Sequence, residues 1–276
     1  MTHLSSHGWG IQSLLCFVLV GLLSSCATVP LTNRSQMNLL PESQMVQLGA
    51  EAYQTQLKEH PVSTESAEVE PVRTVGERLA AATEDFLRTN NLPTDGYQWE
   101  FSVIKNDEIV NATCLPGGKI VFYSGIFQYT QDENGIATVM GHEIAHAIAR
   151  HGNERVSQAL LLELGASTLA EAMSSQPART RELATQALGL STNYGVVLPF
   201  NRSRESEADR IGLTLMAKAG YDPRSAIAFW ERFSEAGAKV PEFASTHPSG
   251  ATRIADIKTH LPEAMQNYTG GFRVGK

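Results

Sequence analysis

Charge is missing from the opening of this 276-residue chain: its first 33 residues contain no Lys, Arg, Asp or Glu. Cysteine is scarce throughout, with Cys16 and Cys26 near the start and Cys114 alone thereafter. A domain that follows the opening segment therefore has no pair from which to form an intramolecular disulfide. The chain has 29 acidic against 22 basic residues, a net charge of −7, and no run of Lys or Arg to track a phosphate backbone, so nucleic acid is not an expected partner. The apolar run Leu14 to Leu23 has ten residues, too few for a bilayer span of about 20. No internal repeat marks a solenoid. What is left is enough chain for one domain with a sizeable core.

Within that chain, His142-Glu143-Ile144-Ala145-His146 sets two imidazoles four positions apart, so on a helix they stand nearly above one another. Such a pair can grip one zinc ion. Glu143 is rotated about 100° from His142 and can lean toward the open side of the metal, where a water would sit. Ile136, Val139, Met140, Ile144 and Ile148, with four alanines between and after them, surround the motif as a buried helix requires. The pattern predicts a helix over Glu133 to Arg150, capped by Asp132, Glu133 or Asn134, with Gly152 just past its last turn.

A catalytic zinc takes three protein ligands and keeps a fourth position for water, so one more donor is needed. Glu205 and Asp209 lie four apart on a second predicted helix. One carboxylate can bind the metal while the other accepts the spare N–H of a ligating histidine. Glu207, about 200° round the helix from Glu205, is expected to face away and to matter little to the metal.

Four blocks closely resemble the HtpX, BepA and LoiP group of gluzincin metallopeptidases. They are Asn111 to Phe122, with an N-A-x-x-x-P-G-G start; H-E-I-A-H with Arg150-His151-Gly152 after it; E-x-E-A-D with Arg210-Ile211-Gly212 after it; and Thr246-His247-Pro248-Ser249 followed by Arg253. The resemblance runs over about residues 40 to 262. It implies an α+β, mainly helical fold: a zincin-like metalloprotease domain with a small β-sheet whose edge strand borders the active-site cleft. It also implies that His142, His146 and Glu205 bind one Zn2+ per chain, that Glu143 is the base, and that Asp209 supports a ligand from behind. His247 would lie near the site, assisting the transition state or gating the metal; its plain alternative is a turn ahead of the final helix. His247, Arg253 and Tyr194 are equal candidates to donate to the developing oxyanion.

Lys119 to Ser124 reads as a strand after a Pro116-Gly117-Gly118 turn. As an edge, Gly118, Lys119, Ile120, Val121 and Phe122 would take up an extended peptide through its backbone, so unfolded segments would be favoured as substrates. Helices are expected over Pro41 to His60, Val72 to Asn90, Ser157 to Met173, Ser203 to Ala219, Ser225 to Ala236 and Ala251 to His260. Trp99 to Lys105 is expected as a further strand, and 174–199 as a loop near the cleft.

The uncharged opening bears on location. Residues 1–25 read as a signal peptide, and Leu23-Ser24-Ser25-Cys26 resembles the bacterial lipobox, whose cysteine is diacylated. Residues 26–40 would then be a lipidated Cys26 and a polar tether, and 41–276 the metallopeptidase domain. Ala27 after the cysteine, by analogy with bacterial lipoproteins, favours the periplasmic face of the outer membrane. The expected activity is that of a membrane-anchored zinc endopeptidase acting on unfolded or misassembled envelope proteins. The alternative is a peptide-binding or chaperone lipoprotein whose zinc is structural, closed by His247.

Overall fold

The computed structural model describes residues 26–164, 177–188, 202–236, 247 and 251–271. The expected signal peptide, Tyr194, the end of the helix expected to reach Met173, and 174–176 and 189–199 of the expected loop lie outside the described residues. Apolar periodicity sets most of the helices. Glu42–Glu59 (α1) and Ser66–Thr89 (α2) come first. The second buries Val72, Val75, Leu79 and Phe86 along one stripe, the spacing of a helix face turned to a core.

Three strands follow, Glu100–Ile104 (β3), Ala112–Leu115 (β4) and Lys119–Tyr123 (β5), numbered after a short amino-terminal pair described below. Their order is β3-β5-β4, with β5 parallel to β3 and antiparallel to β4. Gly117 and Gly118, at φ +87° and +82°, turn the chain between β4 and β5 in a conformation that glycine adopts without strain. The expected edge, Gly118 to Phe122, is therefore corrected: β5 is the central strand, and β4 is an edge. All five residues of β5 are buried, and a strand that is apolar on both faces belongs inside a sheet.

A 3-10 turn at Ser124–Ile126 and a short helix, Phe127–Thr130 (α3), lead into Glu133–Ile148 (α4). Asp132 caps α4, its side chain accepting from Gly135 N at 2.9 Å. The helix stops two residues early, and Arg150 rather than Gly152 takes the left-handed conformation, φ 55°. Gly152 lies inside the next helix, His151–Leu164 (α5). Part of the expected loop is helical, Pro177–Ala187 (α6), and packs on α5. Arg202–Lys218 (α7), Ser225–Ala236 (α8) and Ala251–Met265 (α9) complete the described helices.

The core gathers α2, the sheet, α4, α7 and α8, with Phe122, Met140, Ile144, Ile211, Leu215 and Trp230 in one buried cluster. At its centre α4 and α7 touch backbone to backbone. A Cβ on Gly212 would lie 2.9 Å from Gly141 C and from His142 N, and one on Gly141 would lie 3.0 Å from Gly212 O.

The segment expected as a tether is folded onto the domain. Cys26–Thr28 (β1) and Ser35–Met37 (β2) form an antiparallel hairpin, with Cys26 opposite Met37. Gln36 Nε2 donates to Ala149 O at 2.8 Å, satisfying a carbonyl at the end of α4. Asn153 Nδ2 donates to Leu40 O at 2.8 Å, and Arg34 forks onto Glu154 with two bonds of 2.9 Å. No helix among the described residues is long and apolar enough to cross a membrane.

Burial favours the neutral form of Glu154, but Arg34 and Arg204 hold its pKa below the usual 4.5. A depressed folded pKa gives stability that is complete above the unfolded value and is lost as pH falls through the folded one. Glu154→Gln is expected to cost about 1–3 kcal/mol at pH 7, and the gap from wild type should close as pH falls below about 4.5. Thermal melts of both proteins from pH 7 to pH 3 check this; a gap that widens in acid contradicts it.

Candidate active site

The burial of α4 carries its polar residues inward with the apolar ones. His142 and His146 stand one turn apart, ring centroids 4.6 Å from each other, with their Nε2 atoms 3.0 Å apart. From α7, Glu205 reaches both: Oε1 is 3.2 Å from His146 Nε2 and Oε2 is 3.5 Å from His142 Nε2. His247 joins them, its Nδ1 3.1 Å from Glu205 Oε2 and 3.1 Å from His142 Nε2. These four side chains are buried, and one ligand atom from each lies within 4.8 Å of the others.

Borderline nitrogen donors with one carboxylate suit zinc, and the electrostatics ask for a cation. Burial and Arg253 disfavour a charged His142, yet Asp209 and Glu205 outweigh them and raise its pKa to about 9. Burial also opposes the Glu205 carboxylate, but His247, His142 and His146 hold its pKa far below the usual range. His146 is pushed the other way, burial holding it neutral. A divalent ion would supply the missing positive charge without protons on the ligand nitrogens.

Asp209 stands behind His142, its Oδ1 accepting from Nδ1 at 2.9 Å, which leaves Nε2 facing the cluster. Arg253 clamps the carboxylates: Nε and Nη2 donate to Asp209 at 2.9 and 2.7 Å, and Nη1 to Glu205 Oε2 at 3.0 Å. Its guanidinium lies 3.4 Å above the Trp230 ring centroid, a cation–π contact in a desolvated setting. Arg253 is thus engaged behind the site, which argues against its expected alternative as an oxyanion donor.

Glu143 is buried, and its Oε1 has no hydrogen-bond partner among the described residues, lying 3.4 Å from His247 Nε2. Burial foremost raises its pKa. Cys114 on β4 is buried as well, and burial together with Glu143 pushes its thiol well up, which excludes a thiolate nucleophile. The edge strand β4 packs against α4, while Gly118 to Phe122 run through the middle of the sheet. Cys26 opens β1 at the start of the hairpin.

The structure also brings in residues that sequence reasoning passed over. Glu207 does not face away; it is buried, with Oε2 3.3 Å from His151 Nε2. His151 Nδ1 lies 2.9 Å from His146 Nδ1. The signal was a third histidine, His151, five positions after His146 and a carboxylate midway between Glu205 and Asp209. Trp230 and Gly141 carried no such sign.

A histidine pair with an intervening glutamate on one buried helix, and a carboxylate from a second, define a metallopeptidase site of the zincin kind. Residues 72–261 match peptidase family M48, and the chain belongs to that family. It is 39% identical to the mitochondrial metalloendopeptidase OMA1 of Schizosaccharomyces pombe over 175 residues, 61% of this chain and 48% of that protein. It is 30% identical to the beta-barrel assembly-enhancing protease of Escherichia coli K12 over 243 residues, 85% of this chain and 47% of that one. The human mitochondrial metalloendopeptidase OMA1 is 28% identical over 267 residues, 93% of this chain and 50% of its own length. The chain thus spans about half the length of the curated relatives it matches.

Because a Cβ on Gly212 would meet α4 backbone at 2.9 Å, Gly212→Ala must part the two helices that carry the metal-site residues. We expect a loss of about 1–3 kcal/mol and weaker zinc binding, read by denaturant titration and by competition with a chromophoric chelator. Wild-type values in both would show slack at the crossing.

Proposed function

We propose that this protein is a zinc endopeptidase that hydrolyses extended, unfolded segments of other proteins. The observation that carries the reading is Glu143: a buried carboxylate, raised in pKa, whose Oε1 has no hydrogen bond among the described residues and lies 3.4 Å from His247 Nε2, a member of the cluster with His142, His146 and Glu205. His142, His146 and Glu205 would hold the ion. Zinc bound there would supply Lewis acidity, lowering the pKa of a water toward 7 and polarising the scissile carbonyl. Glu143 takes the proton of the attacking water and passes it to the leaving amine, base first and acid second. Its raised pKa, which burial causes, makes it a stronger base toward the water than an exposed carboxylate would be. A peptide would add to the side of β4, Ala112–Leu115, that pairs with no strand among the described residues, reading backbone rather than sequence.

The proposed substrates are unfolded or misassembled envelope proteins, met at the periplasmic face of the outer membrane by an enzyme anchored through Cys26. Support comes from the lipobox-like Leu23-Ser24-Ser25-Cys26 and from the name of the Escherichia coli relative, a protease that enhances β-barrel assembly. Incorporation of labelled palmitate by wild type, lost in Cys26→Ser, tests the anchor.

A second reading has its own observation. His247 Nδ1 approaches Glu205 and His142 as closely as those residues approach each other, so four side chains can close the site around the metal. The protein would then rest autoinhibited, or hold peptide without cutting it. With purified protein and casein, we expect Glu143→Gln to lower hydrolysis by about 10²–10⁴-fold while keeping its zinc, and Glu205→Gln to lose the zinc. Equal hydrolysis by wild type and Glu143→Gln would end the enzyme reading, whereas a rise in His247→Ala would assign His247 to restraint.

A further inference from the structure

His142 and His146 are supported from behind in different ways. Asp209 serves His142 directly, at 2.9 Å. Behind His146 a second imidazole intervenes, His151, fully buried, with Nδ1 2.9 Å from His146 Nδ1. The proton positions follow from geometry. His146 Nε2 faces Glu205 and His142, so its lone pair belongs to the cluster and its hydrogen to Nδ1. His151 Nδ1 must then accept, which places the hydrogen of the neutral His151 ring on Nε2. That atom lies 3.3 Å from Glu207 Oε2, an ion-pair distance at which the angles do not make a hydrogen bond.

Glu207 is fixed in turn by the amino-terminal hairpin. Arg34 Nε donates to Oε2 at 2.7 Å and Thr32 Oγ1 to Oε1 at 2.5 Å. The other nitrogens of Arg34 fork onto Glu154, which also takes Arg204 Nε at 2.9 Å, one residue before Glu205. A chain of hydrogen bonds, with one close ion-pair approach between Glu207 and His151, thus runs from residues 32 and 34 to a metal-site histidine.

We propose that His151 and Glu207 are positioning residues for His146, and that the hairpin, through Thr32 and Arg34, is a working part of the metal site. The inference rests on His146 as a metal ligand. It gives the segment between Cys26 and α1 a role other than that of a spacer. It also reverses the expectation for Glu207, whose loss should reach the metal through His151.

The test uses the full chain, with zinc affinity from chelator competition and melting of the metal-free protein measured for each variant. His151→Phe keeps the ring volume and removes the acceptor, and is expected to lower zinc affinity about 10–100-fold. His151→Asn, whose Oδ1 can replace Nδ1 as acceptor, should recover part of that loss. Arg34→Met should lower zinc affinity in the wild-type background and add little once His151 is Phe, the non-additivity of a shared network. The proposal is overturned if His151→Phe binds zinc like wild type, if Phe and Asn lose affinity equally in step with metal-free melting, or if the Arg34 and His151 effects simply add. Failure of wild type to bind zinc would overturn the metalloprotease reading itself; a zinc-binding wild type with an indifferent His151→Phe overturns this inference alone.

Discussion

Two helix backbones in contact, at Gly141 of α4 and Gly212 of α7, set the scale of the whole site. Side chains on helices that are held apart by ordinary residues cannot bring short carboxylates onto imidazoles of the neighbouring helix. Here Glu205, Asp209 and Gly212 follow at intervals of four and three, one stripe of α7. The glycine at the end of that stripe lets the two carboxylates reach His142 and His146. Removal of two methyl groups from the crossing is thus the condition for the metal centre. The apolar core around it, from Met140 to Trp230, keeps the crossing shut.

Closeness of this kind has an electrostatic cost. Glu143, Glu205, Glu207 and Asp209 are all buried, and an ionised carboxylate taken out of water is strongly penalised unless it is paired and hydrogen-bonded. The fold meets this by giving every carboxylate of α7 partners, Arg253 and His142 being shared between Asp209 and Glu205. Asp209 has His142 and Arg253, Glu207 has Arg34, Thr32 and His151, and Glu205 faces the histidine cluster with one Arg253 bond. Glu143 alone keeps an oxygen without a hydrogen bond among the described residues. The exception is informative, because a base must be able to change its protonation within a turnover, and an oxygen already saturated by donors would resist it.

Much of this was legible beforehand, for identifiable reasons. Helices α1, α7 and α8 lie within a residue or so of their expected bounds because helical periodicity is a local property. The errors cluster where partners decide. The run from Ile120 to Tyr123 looks alike as an edge or a central strand; its neighbours make it central, while Ala112–Leu115, too short and mixed to announce itself, takes the edge. Gly152 looked like a helix stop, but the turn falls at Arg150, and it is this early turn that swings His151 back beneath His146. The polar segment before α1 read as a tether because its hydrogen-bond partners, Glu154, Glu207 and Ala149, are more than a hundred residues away.

By itself the sequence determined the metal chemistry: a histidine pair with its glutamate at one helical turn, and a second helix rich in carboxylates, are local patterns that any burial of those helices would preserve. Tertiary structure alone decided which carboxylate serves which imidazole, that His247 enters the cluster, that Arg253 lies behind it, and that Glu207 belongs to it through His151. These assignments depend on which face of a helix meets which neighbour. An all-round buried helix such as α7 has partners on every face, so spacing along it shows only that its acids point in different directions, and only the packed neighbours say toward what.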